Sequence, residues 1–218
     1  MENPPPLVHA RPPVASAAGE YPVQLTVTHQ RDLNQWWGLP LTGILVRLIL
    51  AIPQYVVLLV LGIGMYVVIL LGWIPILLTG RVPGTQAAWV KEFIVRATRW
   101  MAYSYFLFPG GNTSVEPGAT NPVELTIDLD GRSMNRLWGI PLLGFYVRGI
   151  VLIPHLIVLG IIFLIALLGE IILWIPILST GKYPGWAVTL YGGLLRYLAR
   201  VGAYLFLLPV PYPPFSFD

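Results

Sequence analysis

The sequence predicts an all-α integral membrane fold. It is built as a duplicated two-span unit, four transmembrane helices in all, with short β-strands outside the membrane on one face. Three observations predict it. Of the 218 residues, 56% are hydrophobic and only 11% charged, against about 25% charged in soluble domains. The stretch Trp73-Ile74-Pro75-Ile76-Leu77-Leu78-Thr79-Gly80-Arg81-Val82-Pro83-Gly84 recurs as Trp174-Ile175-Pro176-Ile177-Leu178-Ser179-Thr180-Gly181-Lys182-Tyr183-Pro184-Gly185. Each copy closes an apolar run as long as the roughly 20 residues that a helix needs to cross the hydrocarbon.

Composition also excludes. Cysteine is absent, which rules out disulfides, thiolate metal sites and thiol nucleophiles. The formal charge of +3 is small and dispersed, so it does not suggest a nucleic-acid surface. Lysine and arginine in such a chain report topology and lipid headgroups first.

Taken in order, residues 1–20 read as a flexible, proline-rich leader with Pro4-Pro5-Pro6 and Pro12-Pro13. They lack the basic start and apolar centre of a secretory signal. The first membrane repeat covers 21–109, a glycine-rich linker 110–120, the second repeat 121–208, and an extended proline-rich tail 209–218. Each repeat opens on alternation, Val23, Leu25 and Val27 against Gln24 and Thr26, then Val123, Leu125 and Ile127 against Glu124 and Thr126. That is the period of a half-buried strand. The apolar block that follows holds Arg47 or Arg148 and meets Pro53 or Pro154, where a helix kinks or an interfacial segment ends.

Gln54 to Leu78 is uncharged, and Leu156 to Leu178 holds one charge, Glu170. Beyond the Gly-Arg/Lys-x-Pro-Gly turn, residues 84–108 and 185–208 have helical period but carry Lys91, Glu92, Arg96 and Arg99, or Arg196 and Arg200. These segments either cross as second spans or lie in the interface. Two crossings per copy return both strands to one side, where they can pair, so the expected arrangement is four spans in parallel repeats.

An ionisable group deep in a span is a functional hypothesis by default. Counted from the turn, Glu170 and Arg196 fall at equal depth on antiparallel neighbours, and their counterparts Ile69 and Val95 are both uncharged. The expectation is an intramembrane ion pair, structural or part of a relay. Arg99 and Arg200 each precede a tyrosine by four residues, Tyr103 and Tyr204, on one helical face, and read as helix or headgroup contacts. Arg47 and Arg148 can snorkel to phosphates. His155 lies within an apolar block, where an imidazole can ligate a haem or chlorin metal. No metal quartet, phosphate loop, nucleophile elbow or carboxylate pair is visible, so no catalytic residue and no enzyme activity is expected.

The strand Tyr21-Pro22-Val23, the arginine before Ile52-Pro53, the Gly-Arg/Lys-x-Pro turn, Arg99 with Ala102-Tyr103, and the closing Tyr212-Pro213-Pro214-Phe215 resemble a bacterial membrane family. That family is known only as domain of unknown function 4389. The likeness runs from about Tyr21 to the C-terminus in two copies, with the closing Tyr-Pro-Pro-Phe after the second only. It implies a multi-span integral membrane protein and transfers no activity or site residue.

The functional expectation is an accessory or scaffolding subunit in the cell membrane, contacting lipids and other membrane subunits but not nucleic acid. Gly62, Gly64, Gly192 and Gly193 offer close-packing surfaces for it. A small transporter or channel around Glu170 is the alternative, since duplicated membrane halves often frame a site. A pigment- or haem-binding subunit using His155 is a third.

Overall fold

A computed structural model of the chain describes residues 21–27, 42–105, 123–129, 132–140 and 143–216. The leader and the linker 110–120 lie outside the described residues. The elements run β1 (Val23–Val27), α1 (Thr42–Leu50), α2 (Ile52–Leu71), α3 (Trp73–Thr79) and α4 (Gly84–Ser104) in the first repeat. The second has β2 (Val123–Ile127), a single 3-10 turn (Arg136–Gly139), α5 (Leu143–Val151), α6 (Ile153–Thr180) and α7 (Gly185–Leu205).

Local chemistry fixes these boundaries. Pro53 and Pro154 sit in the first turn of α2 and α6, where a missing N–H costs nothing. The short arginine-bearing helices α1 and α5 end just before them. Gly80 and Gly181 close α3 and α6 at φ 69° and 65°, a left-handed conformation that glycine alone takes without strain. Thr79 and Thr180 brace both ends, each donating its hydroxyl to the proline carbonyl four residues back, at 2.7 and 2.6 Å.

Two helices among the described residues, α2 and α6, are long and apolar enough to cross a membrane. Leu59, Val60, Ile63, Ile161, Leu164 and Ile165 are each half or more exposed on them. Helices α4 and α7, expected as the other two spans, fall short on apolarity because charged and polar residues interrupt them.

The strands pair antiparallel, with Leu25 opposite Leu125 and Val23 opposite Ile127. Leu25, Leu125 and Ile127 are buried while Thr26, Glu124 and Thr126 are exposed, as the alternation requires. Their seat differs from the one expected. They lie alongside the second helices, not beyond the helix ends: the Arg196 and Arg200 guanidiniums of α7 donate to the Leu25 and Val23 carbonyls.

The repeats are antiparallel to one another, which overturns the expected parallel arrangement. The Met134 amide donates to the Gly80 carbonyl at 2.9 Å, so the approach to α5 and α6 is tied to the end of α3. Phe93, midway along α4, meets Phe206, just past α7, edge to face at 5.7 Å. An approximate two-fold axis between β1 and β2 therefore relates the halves, and the two Gly-Arg/Lys-x-Pro turns lie at opposite ends. Three layers result: the sheet, the α4–α7 pair beneath it, and α2 and α6. Gln86, Trp89, Phe93 and Trp100 face α2, whereas α7 turns Arg196 and Arg200 to the sheet.

Candidate functional site

Among the described residues, four buried charged side chains and one histidine concentrate the chemistry. Arg47 and Arg148 are 2% and 3% exposed. Arg47 Nη1 donates to the Tyr103 carbonyl at 3.5 Å, and Arg148 Nη1 to the Tyr204 carbonyl at 2.7 Å. Each thus staples the short helix before a long apolar one to the end of the last helix of its repeat. A cation is favoured there, where helix carbonyls lack amide partners. Both side chains hold backbone, the helix contact that was one of the two roles expected of them.

The second staple is the more elaborate. Leu207 takes a left-handed φ of 63°, rare for a branched side chain. That turn brings the Leu208 carbonyl to Arg148 Nη1 at 3.0 Å. The guanidinium lies 4.5 Å from the Tyr204 ring centroid and 5.2 Å from that of Trp138, close enough for cation–π attraction. Its Nε is buried with no acceptor.

Glu170 and Arg196 are not paired. Arg196 turns to the sheet, where Nε and Nη2 both donate to the Leu25 carbonyl at 3.2 Å. Glu170 is buried, and neither carboxylate oxygen has a hydrogen-bond partner. The positive charge acting on it is Arg47, across the repeat boundary, and the Tyr191 hydroxyl beside it donates to the Ala166 carbonyl at 3.2 Å. Depth counted along one helical hairpin predicts the wrong partner because the antiparallel halves interleave.

Arg200 donates to the Val23 and Ser216 carbonyls, each at 3.4 Å, and lies 5.3 Å over the Tyr21 ring. Burial pushes the Tyr21 phenol up, so it stays protonated and donates to the Pro211 carbonyl at 2.9 Å. Arg99 is half-buried on α4, in the field of Glu92 and Glu124. Glu92 and Arg96 form an exposed pair at 2.5 Å.

His155 is fully buried. Its Nδ1 meets the Tyr197 hydroxyl at 2.5 Å, and Nε2 is without a partner. Phe215 stacks on the ring at 3.9 Å and 7°, and Tyr212 packs edge-on at 4.8 Å. The closing Tyr212-Pro213-Pro214-Phe215 is therefore a strap over the imidazole, and a porphyrin face would have to displace Phe215. In the sequence the strap and the histidine stand apart. What links them is a contact between α6 and a tail some sixty residues away, which periodicity does not reveal.

Two cavities flank Trp138. One is apolar, about 80 Å³, between the repeats, with Ile69, Trp73, Ile76 and Phe206 among its walls. The other is open, about 360 Å³, over Arg148, and is lined by Arg132, Ser133, Asn135 and Tyr204 as well.

Fold and site together define a duplicated, mostly helical protein with two membrane-length apolar helices and an arginine staple in each half. The sequence model of the family described as Domain of unknown function (DUF4389) matches residues 42–109 and again 143–216, and the chain belongs to that family in two tandem copies. The matched segments begin at α1 and α5, so both strands lie outside them. No curated protein and no solved structure matches the chain.

Proposed function

We propose that this chain is a non-catalytic, multi-pass integral membrane protein that serves as an accessory or scaffolding subunit of a larger membrane assembly. The observation that carries the proposal is the opposite character of its two faces. Helices α2 and α6 present bare leucine, isoleucine and valine. The sheet presents Thr26, Glu124 and Thr126, and α4 presents Lys91 and Glu92. Because β1 lies beside α7 at Arg196 and Arg200, the polar face sits level with the apolar one along the helices.

In this reading α2–α3, α4, α6 and α7 all cross. Exposed charge and an open sheet edge are unfavourable against lipid at that depth, and a second polypeptide covers them. A second reading draws on the same layers: the molecule lies in one leaflet, α2 and α6 embedded and the sheet facing water.

The absence of native cysteine makes the test clean. Single cysteines replace Arg81 and Lys182, at the two turns, and are exposed to a membrane-impermeant maleimide from each side. Crossing predicts labelling from opposite sides, and labelling of both from one side refutes it. Affinity purification in mild detergent tests the assembly: a stoichiometric membrane partner is expected. A monodisperse single species in every mild detergent refutes the accessory role.

A further inference from the structure

The two arginine staples are alike in geometry and unlike in charge balance. Arg47 lies in the field of Glu170 from the other repeat. The offset that relates Arg47 to Arg148 carries Glu170 onto Ile69, which lines the apolar cavity instead. Among the described residues no carboxylate acts on Arg148; the groups that do are the phenols Tyr204 and Tyr21. A buried guanidinium with no counter-charge is costly, and its Nε–H is unspent.

The surroundings supply what an anion needs. The open cavity over Arg148 is lined by Arg132, Ser133 and Asn135, with no acidic residue among its described walls. Asn135 Oδ1 already accepts from the Leu137 amide at 3.0 Å, so its amide nitrogen is the end available to a ligand. Trp138 lines this cavity and the apolar one alike, setting a polar basin and a greasy cleft on either side of one ring.

We propose that this place binds an anionic membrane lipid. Its head oxyanion, phosphate or carboxylate, takes beside Arg148 the role that Glu170 takes beside Arg47, and an acyl segment enters the cleft at Ile69. Oxyanions suit such a site because a guanidinium offers several directed donors. The proposal rests on burial and charge balance, and it stands or falls independently of the accessory-subunit reading.

The test is thermal unfolding of the full chain, delipidated in a neutral detergent, with added phosphatidylglycerol, oleate, phosphatidylcholine or inorganic phosphate. A ligand at a hundredfold excess over its Kd raises the midpoint by about 5–10 °C. A rise with phosphatidylglycerol or oleate, and none with phosphatidylcholine or phosphate, is expected. An equal rise with phosphatidylcholine, an equal rise with inorganic phosphate alone, or no rise with either anionic lipid overturns the proposal. Arg148→Gln removes a staple and can unfold the chain, so two other variants carry the argument. Arg132→Ala, at an exposed position, weakens the lipid's apparent affinity about five-fold. Ile69→Glu supplies the missing carboxylate, raises the lipid-free midpoint and abolishes the lipid response. An undiminished response in Ile69→Glu refutes the charge-replacement argument.

Discussion

Replacing Gly139 with alanine tests the antiparallel docking of the repeats most directly. Gly139 ends the 3-10 turn before α5 and presses on α3 of the other repeat. A Cβ there stands 2.6 Å from the Leu77 amide nitrogen, 2.9 Å from the Trp73 carbonyl oxygen and 3.1 Å from the Ile76 carbonyl carbon. Unstrained contacts begin near about 3.5 Å, so the turn must withdraw from α3 by about 0.9 Å. All three obstructing atoms are backbone, and no side chain can rotate away to relieve them. Overpacking of this kind costs about 1–3 kcal/mol, which lowers the unfolding midpoint by about 3–10 °C at this chain length. Gly160→Ala is the matched control. Nothing lies within 4 Å of a Cβ there, and glycine inside a helix costs about 0.5–1 kcal/mol relative to alanine. Intrinsic tryptophan fluorescence in detergent reads both variants. Should Gly139→Ala unfold at or above the parent's midpoint, the close approach of the two repeats is wrong.

Two further outcomes follow from the site geometry. A double-mutant cycle on unfolding free energy, with Arg47→Met and Glu170→Leu, gives a coupling of about 1 kcal/mol, whereas the cycle on Arg196 and Glu170 gives less than about 0.5 kcal/mol; the reverse order restores the pairing within one hairpin. Tyr212→Phe loses the hydrogen bond to the Val151 carbonyl, 3.2 Å in the parent, and destabilises by about 1 kcal/mol. Tyr212→Ala also uncovers the edge of His155 and costs at least twice as much by the same thermal assay.

What the sequence made legible is what is written locally. The proline breaks at Pro53 and Pro154, the glycine ends at Gly80 and Gly181 and the alternation of both strands all depend on neighbours within a few residues, and the duplication shows as their recurrence. The orientation of one repeat against the other does not. It is set by the pairing of Leu25 with Leu125 and by Gly139 on α3, contacts between distant segments. The pairing expected for Glu170 fails for the same reason: depth along one hairpin is local, while the charge that acts on it belongs to the other half. One signal was available: the buried arginine recurs in both copies, whereas the buried carboxylate occurs in one. Among the described residues, the Arg148 station therefore lacks the acid that the Arg47 station has.

The strand pairing has a consequence for how such a chain arises. A single repeat owns one strand, and that strand's partner here comes from the other repeat by an approximate two-fold operation. A half-length chain can complete the sheet only by meeting a second copy of itself, giving a homodimer with two identical arginine stations. Joining the halves in one polypeptide breaks that identity. One station holds its own acid, Glu170, while Ile69 leaves the other without one there, a difference that no symmetric dimer can show.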